Sequence, residues 1–184
     1  PILELNTVYA QKTQSQALFG HLEWSLTSQW RLIMGARYTR EKRHWRGCTH
    51  SAQDNSLGNS LNIQFGADLK AGDCATIDDD PLSDFYIFNL INTSDINDAF
   101  HLHDDQIDTE KWMGKFGLEY DLNTDVLFYA NWSLGFKSGG FNGASSNTIQ
   151  QLSPYEEEQL IAVEIGSKLT LLSGALQVNS AAFF

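Results

Sequence analysis

The sequence has few of the residues and patterns that define several common protein classes. Its 184 residues include three prolines, two methionines and two cysteines, which excludes a collagen-like chain and a small domain stapled by many disulfides. No apolar run approaches the roughly 18 residues of a membrane-spanning helix, and no signal peptide is visible after Pro1. Twelve Lys and Arg stand against 23 Asp and Glu, for a net charge of −11. This balance argues against a nucleic-acid partner, because phosphate binding requires clustered basic residues.

The negative charge is concentrated in one segment, from about residue 44 to residue 109. It contains twelve Asp, no Glu, and only Arg46 and Lys70 as bases, so it carries −10 of the −11. Both cysteines and four of the five histidines also lie there. The segment is rich in Asn, Ser and Gly and lacks the regular pattern of its flanks, which predicts a long acidic loop set into an ordered scaffold.

The scaffold alternates between apolar and polar residues, as half-buried β-strands do. Trp112 to Leu122 and Val126 to Phe136 each place apolar side chains at every second position. Because successive strand side chains point to opposite faces, each segment is a predicted strand with one apolar and one more polar face. The same pattern predicts seven strands and no helix in the scaffold: about 3–12, 15–26, 30–41, 111–122, 126–137, 161–169 and 176–182.

Strand length and loop lengths favour a membrane barrel among all-β folds. The predicted strands run to about 10–13 residues, against about 5–6 in globular proteins and about 9–11 in transmembrane barrels. Tight turns at residues 27–29, 123–125 and 172–174 alternate with long connections at 44–109 and 138–156. Short turns on one side and long loops on the other are typical of outer-membrane barrels, with the short turns periplasmic. A soluble β-sandwich, which also alternates, is the other interpretation.

Three blocks of sequence resemble the middle of the barrel in TonB-dependent outer-membrane receptors. Glu157 stands where that family usually has proline, and Val163 where it usually has tyrosine, but the spacing of the glutamates is kept. The resemblance covers nearly all of the chain except residues 44–109. The blocks are Ala17–His21 with Leu26–Thr27 and Leu32–Thr39; Tyr129–Asn142; and Glu157–Leu160 with Val163–Lys168.

The resemblance implies that residues 1–184 are about seven long antiparallel strands of a larger transmembrane β-barrel. The family's barrel has 22 strands and an N-terminal plug, and neither a plug nor a TonB box is found in this chain. Seven strands cannot close a barrel of that diameter, and open edges in lipid would leave backbone groups unsatisfied. We therefore expect a fragment of a larger receptor that does not fold alone to a stable monomer.

The function implied is TonB-energised uptake of a scarce nutrient, most often a ferric siderophore or another iron complex. The implied partners are the TonB complex, reached through other parts of the receptor, an iron–siderophore-like ligand and the lipid of a Gram-negative outer membrane. A soluble extracellular β-domain that binds glycans or proteins is the alternative. No nucleophile–base pair supports an enzyme, and the ligand cannot be named because plug and loop tips select it in this family.

Two groups in the acidic segment are candidate sites. Asp73, Asp78, Asp79 and Asp80 offer the hard oxygen ligands that calcium prefers, although their spacing is not that of a calcium loop. With only Arg46 and Lys70 as bases, the segment is not expected to be the main contact for an anionic ligand. The pair His101 and His103 could bind a transition metal, but polar residues on a solvated loop explain it better.

The two cysteines predict a disulfide between Cys48 and Cys74. Both lie in the loop expected to be extracellular, and disulfides persist in oxidising compartments. The alternative is a pair of free thiols in a cytosolic protein.

Overall fold

The computed structural model describes residues 5–143 and 147–184, and they form one six-stranded antiparallel sheet in the order β1-β2-β3-β4-β5-β6. Short helical segments lie in the connections: α1 (Ser56–Phe65), α2 (Ile87–Leu90), α3 (Ile149–Leu152) and the 3₁₀ turns Ile96–Ala99 and Leu172–Gly174. In the described residues no helix is both long enough and apolar enough to cross a membrane. The strands are β1 (Leu5–Ser25), β2 (Trp30–Ser51), β3 (His103–Asn123), β4 (Val126–Lys137), β5 (Glu158–Leu171) and β6 (Leu176–Phe183).

The all-β antiparallel fold is confirmed, but the predicted count of seven strands is wrong. The segments predicted as 3–12 and 15–26 are one strand, β1, and the predicted start at Leu3 lies outside the described residues. Between them stand only Thr13 and Gln14, and neither is one of the residues, such as Gly, Pro, Asn or Asp, that would turn the chain. The strand therefore continues through these residues without a turn. In its first part, the positions that carry apolar side chains further along β1 carry polar side chains instead.

Strand register places the apolar side chains on one face of the sheet. Phe116 lies opposite Trp132, and Trp132 lies opposite Val163 on the next strand. The adjacent row, Gly117, Asn131 and Glu164, is polar and faces the other way. The one-sided pattern read from the sequence is therefore present across β3, β4 and β5.

The chain divides into two compact units, to which β1, β2 and β3 each contribute residues. In the strand unit the large apolar side chains of the apolar face are largely exposed, including Leu18, Trp112 and Phe116. Such a face requires a nonaqueous neighbour, because contiguous exposed apolar surface of this extent is rare on soluble monomers. The strand unit consists of residues 15–41, 109–138 and 157–184, and the loop unit of 1–14, 42–108 and 139–156.

The loop unit has two hydrophobic cores of its own. The larger consists of Leu61, Leu69, Ala75, Ile87, Ile96, Ala99 and Phe100. The smaller consists of Trp45, Phe141 and Leu152, with Ile107 packed against it.

The predicted loop at 44–109 is therefore only partly a loop. β2 continues to Ser51 and β3 begins at His103, so both strands extend into the segment. The connection between them folds around the larger core and contains two of the short helices. Apolar residues spaced irregularly among the aspartates build that core, and irregular spacing produces no periodic signal to read.

Candidate functional site

The loop unit is the candidate functional site, and a disulfide ties its connection to the end of β2. Cys48 on β2 is bonded to Cys74, with a Cα–Cα distance of 5.9 Å. Backbone hydrogen bonds also join the two segments. The N–H of Ala75 donates to the carbonyl oxygen of Thr49 at 2.7 Å, and the N–H of Ser51 donates to the carbonyl oxygen of Asp73 at 3.1 Å. The predicted disulfide is confirmed, and it reinforces a short backbone pairing between β2 and the connection.

His50 lies beside this disulfide. Its Nε2 is 3.3 Å from Cys48 Sγ, and its Nδ1 is 2.9 Å from the carbonyl oxygen of Gly72. Cys48, His50 and Cys74 would resemble a soft-metal site by spacing. Because both sulfurs are bonded to each other, neither is a thiolate that can bind a metal.

Asp78 is the centre of the polar network of the loop unit. Its carboxylate is 2% exposed and accepts hydrogen bonds from Ser83 Oγ at 2.6 Å and from the N–H of Asp80 at 3.0 Å. His101 Nε2 lies 3.0 Å from the same carboxylate. Burial raises the pKa of Asp78, but the hydrogen bonds from Ser83, His101 and Asp80 outweigh it and place the pKa below its ordinary value. Asp78 is therefore a charged structural residue whose carboxylate joins the turn at residues 78–83 to His101.

The other three aspartates of the calcium hypothesis have separate backbone partners. Asp73 accepts from the N–H of Lys70 at 2.8 Å, Asp79 from the N–H of Gln150 at 2.9 Å, and Asp80 from the N–H of Leu82 at 3.0 Å. Among the described residues, the structure does not gather three of the four carboxylates into one cluster of metal-ligand spacing. The calcium site stays a prediction, and these contacts give each carboxylate another role.

The two histidines of the His101–His103 motif also serve different neighbours. His101 contacts Asp78 and packs against Phe85, with ring centroids 5.4 Å apart. His103 packs against Trp45 at 5.8 Å, and burial is the main reason that its pKa is lowered. The two rings support different parts of the loop unit, and they pack against aromatic side chains rather than lying free on a solvated loop.

The second long connection, residues 138–156, is fixed to the first. The N–H of Ile77 donates to the carbonyl oxygen of Asn147, and the N–H of Ile149 donates to the carbonyl oxygen of Ile77, both at 2.9 Å. Phe141 and Leu152 bury their side chains against Trp45 in the smaller core. The two connections of the loop unit are thus one folded body rather than two independent loops.

Gly140 lies where this second connection contacts β2. Arg43 Nη1 donates to the carbonyl of Gly139 at 2.9 Å, and Gly140 exchanges two backbone hydrogen bonds with Tyr155. A Cβ on Gly140 would lie 2.5 Å from the Tyr155 hydroxyl and 2.7 Å from Arg43 Nη1. Gly140 has an ordinary φ, and the absence of a side chain there leaves room for the ends of the Tyr155 and Arg43 side chains.

The surface of the loop unit is acidic and contains an exposed apolar patch. Both bases of the acidic segment are near aspartates: Arg46 Nε is 3.7 Å from Asp104, and Lys70 Nζ is 4.0 Å from Asp68. Leu82, Phe85 and Phe88 lie within seven residues of sequence and have exposed fractions of 94%, 48% and 64%, and we call these three side chains the Leu82–Phe88 patch. This arrangement suits contact with an aromatic or apolar ligand surface better than with a bare anion.

Sequence reasoning missed both the network around Asp78 and the Leu82–Phe88 patch. The sequence suggests calcium ligands or a plain charged loop for Asp78–Asp80, although Ser83 and the neighbouring turn residues are typical of aspartate side chains that hydrogen-bond the backbone. The patch had a visible signal in Phe85, Tyr86 and Phe88, which are three aromatics in an otherwise acidic segment.

Residues 2–184 match the family model described as TonB dependent receptor-like, beta-barrel. The chain belongs to this receptor family. The structure is similar to the ferric yersiniabactin uptake receptor FyuA from Yersinia pestis, with a TM-score of 0.64 and 14% identity over 97% of this chain. It is also similar to the ferric-catecholate import receptor Fiu from E. coli K12, with a TM-score of 0.57 and 16% identity over 95% of this chain. No curated protein sequence matches the chain.

At 14% and 16% sequence identity, the similarity to the two solved receptors establishes the fold and nothing more. The chain spans 21% of the length of each. Family membership confirms the expected barrel fold. Receptors of this family are Gram-negative outer-membrane proteins that in general bind siderophore ligands and TonB.

Proposed function

We propose that this chain is part of the barrel of an outer-membrane receptor that imports a ferric siderophore or another iron complex with energy from TonB. The observation that carries the proposal is the match of residues 2–184 to the receptor family, and two solved uptake receptors of similar fold support it. The test is uptake of radiolabelled ferric complexes by iron-starved cells that possess or lack the full-length receptor. Uptake that is equal in both, or that persists without TonB, would contradict the proposal.

Two aromatic pairs on the apolar face support placement in a membrane. Trp30 packs against Tyr120 with ring centroids 4.6 Å apart, and Tyr38 packs against Trp112 at 5.1 Å. On both strands the pairs are eight residues apart, which is about 26 Å along a strand at about 3.3 Å per residue. Because strands of outer-membrane barrels are tilted by about 35–45°, this corresponds to about 18–21 Å across the membrane, which is close to the height of the apolar band, about 25 Å between two aromatic girdles. We therefore propose that the two pairs lie at the two membrane interfaces.

Met34 tests this placement, because it lies midway between Trp30 and Tyr38 on β2. Met34→Arg would place a charge at the centre of the apolar band, where arginine costs about 2–4 kcal/mol in a transmembrane barrel. We expect a marked loss of full-length receptor from the outer membrane. Heat-modifiable migration in SDS gels of membrane fractions measures it, because closed barrels migrate differently before and after boiling.

Ile33→Arg is the matched control for Met34→Arg. Ile33 is the neighbouring residue of β2, similar in size, and strand alternation directs it to the opposite face. The arginine would there join the polar face, which already contains Arg31 in contact with Glu119 at 2.8 Å. Equal assembly defects in the two variants would show that the apolar face does not contact lipid.

The loop unit is proposed to be extracellular and to contact the ligand through the Leu82–Phe88 patch. Exposed aromatics in a folded surface are frequent energetic centres of binding. The double change Phe85→Ala/Phe88→Ala is expected to weaken binding of the imported ferric complex about tenfold, or about 1.4 kcal/mol. Fluorescence titration of the purified full-length receptor measures it.

Ile63→Ala is the control for the aromatic patch. Ile63 lies in α1 of the same unit and is 88% exposed, so its removal should leave affinity unchanged. If the double variant binds as tightly as wild type, while uptake still depends on the receptor, the ligand contacts another surface.

A further inference from the structure

Three side chains with metal-binding atoms meet where the end of β2 pairs with the connection that follows it. Cys48 and His50 are two residues apart on β2, so strand alternation directs them to the same face. His50 lies opposite Cys74 in the antiparallel pairing. The two sulfurs and a ring nitrogen of His50 lie within 4.8 Å of one another. All three residues belong to the loop unit, whose backbone thus gathers two cysteines and one histidine at one point.

The backbone also fixes the tautomer of His50. Its Nδ1 is 2.9 Å from the carbonyl oxygen of Gly72, and because a carbonyl oxygen only accepts, Nδ1 carries a hydrogen. In the neutral ring Nε2 then has a lone pair, and Nε2 lies 3.3 Å from Cys48 Sγ. A disulfide sulfur has no hydrogen to donate to that lone pair. Metal-ligating histidines have this arrangement, in which the second ring nitrogen donates to a carbonyl oxygen and the first faces the metal.

Backbone hydrogen bonds hold the three residues together independently of the sulfur–sulfur bond. Two of them flank the His50–Cys74 pair, from Ala75 to Thr49 and from Ser51 to Asp73. Zinc–thiolate bonds of about 2.3 Å at tetrahedral angles place two sulfurs about 3.8 Å apart. Because the Cα atoms of Cys48 and Cys74 are 5.9 Å apart, rotation of the two side chains is enough to reach that separation.

We propose that the dithiol form of the loop unit, in which Cys48 and Cys74 are not bonded to each other, binds a zinc ion through both thiolates and His50 Nε2. Thiolate and imidazole ligands suit zinc, whereas calcium and magnesium prefer oxygen. Three protein ligands leave the fourth tetrahedral position to water. The bound zinc would replace the covalent cross-link between β2 and the connection.

The chain has the dithiol form before the disulfide closes, and it regains this form when an external dithiol reduces the bond. In that exchange two electrons and two protons pass from the external dithiol to the two cysteine sulfurs, and the external dithiol becomes a disulfide. Zinc then displaces the two thiol protons. The inference does not depend on the transport function proposed above, because it uses only contacts within the loop unit.

Metal titration of the full-length receptor tests the proposal. The receptor is purified in detergent, reduced with a phosphine without oxygen, and separated from the phosphine. It is titrated with cobalt(II), which reports thiolate ligands by their charge-transfer absorption, and the cobalt is then displaced with zinc. We expect this absorption in reduced wild type, and its loss in oxidised wild type and in Cys48→Ala/Cys74→Ala.

His50→Ala tests the third ligand and keeps both cysteines. It is expected to weaken zinc binding by the reduced receptor at least about 100-fold, because loss of an outer partner of a ligand alone costs about 10–100-fold. His44→Ala is the control, because His44 lies on the same strand and its Nε2 is 2.6 Å from Asp104. Thiol labelling before reduction verifies that each histidine variant has formed its disulfide and is therefore correctly folded at this point.

Hydrogen exchange supplies a second measurement. Zinc at about 100 times its dissociation constant should slow amide exchange in residues 48–76 of reduced wild type about 100-fold, and it should not change exchange in Cys48→Ala/Cys74→Ala. Three results would overturn the proposal. They are thiolate–cobalt absorption in reduced wild type no greater than in the double variant, equal zinc affinity of His50→Ala and wild type, and exchange in reduced wild type that zinc leaves unchanged.

Discussion

Replacing both Cys48 and Cys74 by alanine is expected to lower the free energy of unfolding of the loop unit by about 3.5 kcal/mol. The bond closes a chain segment across a sequence separation of 26 residues, and a cross-link of that span restricts the unfolded chain strongly in the chain-entropy model. The effect should be local to the loop unit, because its two cores and its disulfide all lie within it.

Hydrogen exchange measured by mass spectrometry on the full-length receptor can follow this loss peptide by peptide. Amides in residues 48–76 should exchange faster by about two to three orders of magnitude, and amides of β4 and β5 should not change. Wild-type receptor treated with a reductant is the control and should match the double variant. Protection that is unchanged in both would mean that backbone pairing and the cores hold the segment without the bond.

The strand scaffold could be predicted from the sequence because alternation is a local signal. Trp112 to Leu122 shows its faces without knowledge of any other segment, and residues 123–125 indicate the turn. Strand ends were harder to predict. The end of β2 is mostly buried, with Trp45 and the three residues 47–49 buried and Arg46 exposed, but its charged and small residues resemble a loop.

The loop unit could not be predicted because its structure depends on contacts between distant residues. Ile77 hydrogen-bonds with Asn147 and Ile149, about 70 residues later in the chain. Leu61, Ile87 and Phe100 meet in one core without any shared spacing in the sequence. Composition indicated an acidic, polar segment, and composition does not specify which residues pair.

Asp78 is the residue of the loop unit whose loss we expect to cost most. Asp78→Ala would remove the acceptor for Ser83 Oγ, for His101 and for the N–H of Asp80. The carboxylate is almost fully buried, and donors left unsatisfied in such a site cost about 1–3 kcal/mol each. We expect a total loss of about 3–5 kcal/mol, the range found when one partner of a buried pair is removed. Asp84→Ala, an exposed aspartate in the same segment, is the control with the same change of charge.

The same residue predicts how the loop unit responds to acid. Because the pKa of folded Asp78 lies below the ordinary value of 3.8, its stabilisation is fully present above that value and is lost as pH falls below it. Asp78→Asn should therefore be cleaved by pepsin between residues 78 and 101 faster than wild type at pH 4–5. The two cleavage rates should approach each other as the pH falls further, because acid protonates Asp78 of the wild type and removes the charge that Asp78→Asn lacks. A constant ratio of rates from pH 5 to pH 2 would mean that the charge on Asp78 contributes nothing to the stability of the loop unit.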